Sequence, residues 1–268
     1  MEHLLGRKGA ARIAAIPPQV LQALNAGCIP TVNLCEFLAL DLAALARAVA
    51  RDIGLDPGSE RLQDTLDMLA VFPPMRRHLH IARALHDVTA PRDDRDAVAH
   101  ALATHPSDVA RGWAAQWIAF AALPLEAKLQ SVARFAADPH FGVREIAWMA
   151  VRDEVARDVD AAVRLLQPWV AHSDPNIRRF ASEVTRPRGV WCAQIEALKA
   201  QPWRALALLQ PLRADDSRYV QNSVANWLND AAKTQPAWVR ALCAEWGCGH
   251  PAAATAYIVR RAQRSLEA

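Results

Sequence analysis

The chain has 268 residues, 52% hydrophobic and 22% charged, with 31 basic and 28 acidic side chains and a net charge of +3. That length can bury a substantial core as one elongated domain or two small ones, and the balance excludes a disordered chain. No apolar run is long enough to span a bilayer, no signal segment is visible, and the five scattered cysteines exclude a paired-cysteine zinc site.

Residues 1–16 contain Arg7, Lys8 and Arg12 and read as a mobile basic arm. Residues 17–96 read as an N-terminal helical region. Leu38 to Ile53 has apolar residues at helical spacing, with Arg47 and Arg51 on the other face. Asp56-Pro57-Gly58-Ser59 ends that helix, and Ser59 is placed to cap the next. Val71-Phe72-Pro73-Pro74 ends that one in turn. The polar stretch Ala90 to Asp96 reads as a connector, and residues 97–268 as a repeat domain. No segment alternates with period two over strand length, so the expected fold class is all-α.

The repeat domain shows self-similarity. Four segments begin with a helix-start signal and continue with an aliphatic anchor: His105-Pro106-Ser107-Asp108-Val109, Asp138-Pro139 through Val143-Arg144, Asp174-Pro175-Asn176-Ile177-Arg178, and Asp216-Ser217-Arg218-Tyr219-Val220. Val109, Val143 and Ile177 are spaced by 34 residues, and Val220 follows after 43. Such spacing predicts HEAT-like two-helix repeats stacked into a curved solenoid. Where Asp-Pro precedes an aliphatic-Arg pair, Asp caps the start and Pro fits the first turn. Counting six beyond each anchor puts Ala115, Met149, Glu183 and Asn226 on one stripe. Asp230 lies one helical turn beyond Asn226.

Nine tryptophans are present. Trp113, Trp117, Trp148, Trp169, Trp203 and Trp238 sit in apolar helical settings and read as core. The arginines concentrate in the second half, at Arg144, Arg178, Arg179, Arg186, Arg188, Arg218, Arg260, Arg261 and Arg264. At repeat starts, Arg144 and Arg178 fit two readings, a phosphate contact or an inter-repeat ion pair. Glu183 has neighbours Arg178, Arg179 and Arg186, which offer a structural salt bridge as the alternative to chemistry. Asp230 stands near a helix C-terminus, where the dipole disfavours its charge.

Ser182-Glu183-Val184-Thr185-Arg186-Pro187-Arg188, followed by Trp191, resembles a signature segment of the DNA alkylation repair family, in its AlkC branch. Tyr219-Val220-Gln221-Asn222-Ser223-Val224-Ala225-Asn226-Trp227-Leu228-Asn229-Asp230 is similar to a second signature, and Ala262-Gln263-Arg264-Ser265-Leu266 to the closing helix. The resemblance covers roughly residues 124–268. It implies a helical-repeat DNA glycosylase that acts on duplex DNA and removes cationic bases of the 3-methyladenine, 3-methylcytosine or 7-methylguanine class, with no metal or cofactor. Carried onto this chain, it makes Glu183 and Asp230 the catalytic acids. Where the branch has a Glu before its Phe-Ala-Ile-Arg segment, this chain has His140 before Phe141-Gly142-Val143-Arg144, a departure from the pattern.

An alkylated base already carries positive charge, so its glycosidic bond breaks through an oxocarbenium-like state that a nearby carboxylate stabilises. Arg186 and Arg188 are expected to meet phosphate, together with Arg178 and Arg144. Trp191 and Trp227 are expected to meet the base through their π faces, and His140 and Asn226 to line the site. Two other readings stay open. One is a non-catalytic paralogue that binds DNA, and the other is a HEAT scaffold for another protein. A cytoplasmic monomer with no membrane contact completes the expectation.

Overall fold

The computed structural model describes residues 2–189 and 191–266, with side chains from Leu4 onward. Every regular element among them is a helix. The chain divides into two compact units, residues 1–121 with 140–146, and residues 122–139 with 147–268.

The first unit holds α1 (Glu2–Leu5), α2 (Pro18–Asn25), α3 (Leu34–Leu38), α4 (Leu42–Asp52), α5 (Glu60–Asp67), α6 (Pro74–Thr89), α7 (Arg95–Ala103) and α8 (Asp108–Phe120). Helix α6 packs on α5 and α8, and α7 on α8. Leu45, Ala46, Val49, Ile81, Leu85 and Leu102 are fully enclosed. Each such aliphatic side chain contributes about 1.5–3 kcal/mol by leaving water.

Three expectations are corrected here. The basic arm is packed down, because Leu4 is buried with Ile16, Val20, Leu24 and Ile29, and Arg7 is captured by Glu36. Arg7 Nε donates to Glu36 Oε1 at 3.0 Å, and its Nη atoms reach the carbonyls of Leu4 and Pro30. The expected helix over Leu38–Ile53 is split at residues 39–41, where Asp41 accepts from the amides of Ala43 and Ala44 and starts α4 afresh. The Ser59 carbonyl accepts from the Leu62 and Gln63 amides of α5 at 3.0 Å, but its side chain makes no cap bond, and its hydroxyl is buried without a partner among the described residues.

The boundary expected at Ala90–Asp96 falls inside the first unit, which runs on to residue 121. Contacts from beyond the connector explain this. His105 Nε2 lies 3.2 Å from Asp52 Oδ2, Trp117 donates to the Ala82 carbonyl at 2.9 Å, and Asp108 accepts from both the amide and hydroxyl of Thr31 at 2.8 Å.

The second unit holds α9 (Leu125–Ala136), most of α10 (Phe141–Arg157), α11 (Val159–Leu166), α12 (Pro175–Val184), α13 (Glu196–Ala200), α14 (Leu206–Leu212), α15 (Arg218–Ala232), α16 (Pro236–Trp246) and α17 (Ala253–Ala262). Asp174 caps α12 by accepting from the Asn176 amide at 2.8 Å, with Pro175 in the first turn. Ile177, Phe180, Ala181 and Val184 then recur at helical spacing and are buried. Helix α15 packs against α12 and α17. The helices α8, α10, α12 and α15 begin where the repeat pattern puts them, and the anchors Val109, Val143, Ile177 and Val220 are all buried. Trp113 and Trp148 are core residues as expected, while Trp203, on a 3-10 turn at Pro202–Ala205, is 46% exposed.

Candidate functional site

Two helices of the second unit set the site. Helix α12 carries Glu183 in its last turn, and the chain turns at Thr185 into the segment 186–195. Helix α15 presents Ser223, Asn226 and Asp230 on one side, spaced three and four apart. Between the two carboxylates lies the guanidinium of Arg186. Its Nη1 donates to Glu183 Oε1 at 2.6 Å, while Nε and Nη2 donate to Asp230 Oδ2 at 3.0 and 2.7 Å. The second oxygen of Glu183 accepts from the Ser223 hydroxyl at 2.6 Å, and Ser223 pairs in turn with Ser182 at 2.7 Å. Arg179 Nη2 stands 3.5 Å from Glu183 Oε2. Asp230 Oδ1 stands 3.6 Å from the ammonium of the half-exposed Lys233.

Both acids are deeply buried, with side chains 3% and 7% exposed. Burial pushes the Glu183 carboxyl up, but Arg179, Arg186 and the Ser223 hydroxyl outweigh it and hold the group below its ordinary range. The same carboxylates raise the Arg186 guanidinium despite its own burial. The cluster therefore keeps its charges fixed in place. A planar cation between two fixed carboxylates is an arrangement that favours positive charge at that point.

A residue not singled out in the sequence supports the site from below. Arg152 of α10 is 2% exposed. It donates to the carbonyls of Val184 at 2.9 Å, Arg186 at 2.7 Å and Ala193 at 3.1 Å, so one guanidinium closes the end of α12 and fastens the segment after it. Burial lowers its pKa. Its sequence signal is a lone Arg following the buried Val151. Gly189 completes this packing: a Cβ there would meet Cys192 Sγ at 2.0 Å and the Arg152 guanidinium at 3.1 Å. Burial raises the Cys192 thiol. In the same segment Trp191 is 61% exposed and has a φ of 65°. Arg188 is half-buried, and its Nε lacks a hydrogen-bond partner.

The other sequence candidates fall elsewhere. Trp227 is fully enclosed and donates to the Thr185 carbonyl at 3.0 Å, so its ring supports the core and has no face left for a base. Arg178 spends its donors on Asp215 at 2.6 and 2.9 Å, Asp216 at 2.9 Å, and the carbonyls of His172 and Ser173. That is the ion-pair alternative read from the repeat start, not the phosphate contact. Arg144 is half-buried in the first turn of α10. Asn226 accepts from Arg264 Nη2 at 3.0 Å. His140, in the first unit, directs Nε2 to the Thr31 carbonyl at 2.6 Å, and its Nδ1 accepts from the Gly142 amide at 3.1 Å. Asp108 Oδ2 lies 3.3 Å from the same Nδ1. Among the described residues no His, Cys, Asp and Glu side chains gather as a metal site, and no helix is long and apolar enough to cross a membrane.

No family model matches the chain. The uncharacterized protein YhaZ of Bacillus subtilis (strain 168) is 40% identical over 117 residues, which is 44% of this chain and 32% of that protein. The alkylpurine DNA glycosylase AlkC of Pseudomonas fluorescens, solved bound to DNA containing an abasic site analog, matches with a TM-score of 0.67. That match has 27% identity and covers 83% of this chain and 62% of AlkC. The chain is thus similar in fold to the HEAT-like alkylpurine DNA glycosylases. AlkD2 from Streptococcus mutans shares the family's fold at a TM-score of 0.57 and 19% identity, over 78% of this chain and 98% of its own. The chain thus spans less than two thirds of AlkC and of YhaZ.

Proposed function

We propose that this protein binds duplex DNA and excises a cationic N-alkylated base, with the chemistry at the Glu183–Arg186–Asp230 cluster. The observation that carries the reading is the pair of buried carboxylates hydrogen-bonded to one planar guanidinium. A cationic base or an oxocarbenium-like sugar is recognised by the same fixed charges. Asp230 Oδ1 is the oxygen that faces the developing cation, since Oδ2 is held by Arg186. Glu183 holds Arg186 in register. Trp191 offers an exposed ring for stacking, and Arg188 a guanidinium without a carboxylate partner, suited to phosphate. The likeness to AlkC supports DNA as the partner. The AlkC branch, the lesion class above and a monomeric state belong to the same proposal.

Binding without excision is the second reading, and His140 favours it. Its imidazole stands where the branch pattern has an acid, and its ring nitrogens are taken up by Thr31 and Gly142.

Release of free base from methylated duplex DNA separates the two. The wild type is expected to release base, and Asp230→Asn to lower the rate by on the order of 10²–10³-fold, the cost of losing one preorganised electrostatic group. Glu183→Gln is expected to lower it less. Absence of release by the folded wild type from DNA containing 3-methyladenine, 7-methylguanine and 3-methylcytosine leaves only the binding reading.

A further inference from the structure

At the C-terminal end of the second unit, four arginines gather without a carboxylate partner among the described residues. Arg218 opens α15, Arg260 and Arg261 stand in the last turn of α17, and Arg264 follows it. All four are exposed. Tyr257 of α17 organises them. The Arg218 guanidinium lies over its ring at 3.6 Å from the centroid, and those of Arg261 and Arg260 stand 5.6 and 5.8 Å away. The Tyr257 hydroxyl donates to Asn222 Oδ1 at 2.7 Å, which fixes the ring. Arg264 is fixed separately, by the Arg261 carbonyl at 2.8 Å and by Asn226 Oδ1. Among the described residues no Asp or Glu comes within ion-pair distance of any of the four. Burial and the neighbouring Arg261 push the Arg264 pKa down, with Asp230 acting more weakly the other way.

Elementary electrostatics accounts for only part of this arrangement. The C-terminal dipole of α17 favours Arg260 and Arg261. Arg218, however, is the first residue of α15, where the dipole disfavours a cation, and it adds a third positive charge beside one ring. Cation–π attraction orients the guanidiniums without reducing their charge. Arg178, in the first turn of α12, shows the contrast, because two aspartates neutralise it.

We propose that Arg218, Arg260, Arg261 and Arg264, braced by Tyr257 and Asn226, form a site for the phosphodiester backbone of DNA. This rests on the DNA-binding reading above and moves the main phosphate grip from the repeat-start arginines to the turn of α17. The guanidinium faces supply several donors to adjacent phosphate oxygens of one strand, and each neutralised phosphate releases bound counterion. Asn226 lies on α15 one turn before Asp230, so through Arg264 the phosphate site adjoins the acidic cluster.

The test is the salt dependence of binding to a short unmodified duplex, followed by fluorescence anisotropy. In a plot of log affinity against log salt, the double variant Arg260→Ala/Arg261→Ala is expected to reduce the slope by about 1.8, since each contact contributes about 0.9. Arg218→Ala is expected to remove about 0.9 more. Arg95→Ala, an exposed change in the first unit, leaves the slope as it was, and circular dichroism checks that each variant is folded. Wild-type slope in the triple variant overturns the phosphate site while the DNA-binding reading stands. Absence of salt-dependent binding by the wild type overturns both.

Discussion

Arg7 in the first unit and Arg186 in the second are both buried guanidiniums, and they are used differently. Arg7 meets one carboxylate, that of Glu36, and gives its other donors to the carbonyls of Leu4 and Pro30. Arg186 makes its three hydrogen bonds, from Nε, Nη1 and Nη2, to carboxylates of two helices. The same contrast runs through the two units. In the first, Asp108 ties Thr31 to α8, and His105 lies beside Asp52, so buried polar groups fasten distant backbone one pair at a time. In the second, Glu183, Asp230, Arg186 and Arg152 converge on one turn. A buried charge satisfied by backbone carbonyls can only hold the fold. A cation shared between two acids also fixes a local electrostatic preference that a ligand can meet.

The largest expected effect bears on the second unit. Arg186→Met leaves Glu183 and Asp230 buried without the guanidinium between them and is expected to cost about 3–5 kcal/mol, read by urea denaturation. Adding Glu183→Gln and Asp230→Asn to that variant recovers part of the loss, because the uncompensated charges are gone. No recovery would break the contrast between the units.

A pH titration of stability tests the first unit. Burial, with Arg77 beside it, lowers the His78 imidazole from 6.5 to about 4. The folded form takes up its proton later than the unfolded chain, so stability is complete above pH 6.5 and falls as pH drops from 6.5 to about 4. The loss is about 3 kcal/mol. His78→Gln is expected to flatten that window, and an unchanged slope would remove His78 from the account. Glu183 runs in the same direction at lower pH: its carboxyl is held below 4.5, so its contribution is present above that value and is lost only in stronger acid.

Asp108→Ala sharpens the comparison further. It strips Thr31 of two hydrogen bonds in a buried setting, and about 2 kcal/mol of destabilisation is expected from the unsatisfied amide and hydroxyl. The DNA affinity of the folded variant is expected to stay unchanged. The smallest effect belongs to the exposed pair Arg61–Asp87, where Arg61→Ala should cost under about 1 kcal/mol in the same denaturation assay.

These pairs also mark what the sequence makes legible. The repeat starts were readable because Asp174, Pro175 and Ile177 act over one turn, and capping and anchor burial are local chemistry. Glu183 with Arg186 was readable for the same reason, at three residues' separation. The link from Arg186 to Asp230 spans 44 residues, and Arg7 to Glu36 spans 29, and neither leaves a local trace. The packed N-terminus and the unit boundary were missed for that reason. Trp227 and Trp191 sit in similar motif contexts, yet one is enclosed and the other exposed, because burial is decided by the helix face and the turn that carry each ring.

The backbone of Trp191 carries one more consequence. A φ of 65° is costly for any residue with a Cβ and free for glycine. The indole there is 61% exposed and gains little from packing. Trp191→Gly should therefore be more stable than Trp191→Ala, although both delete the same ring. A chain shaped by folding economy alone would place glycine or asparagine at this turn. Instead, one of the largest side chains stands outward on a backbone that disfavours it, the placement that the proposed stacking role requires.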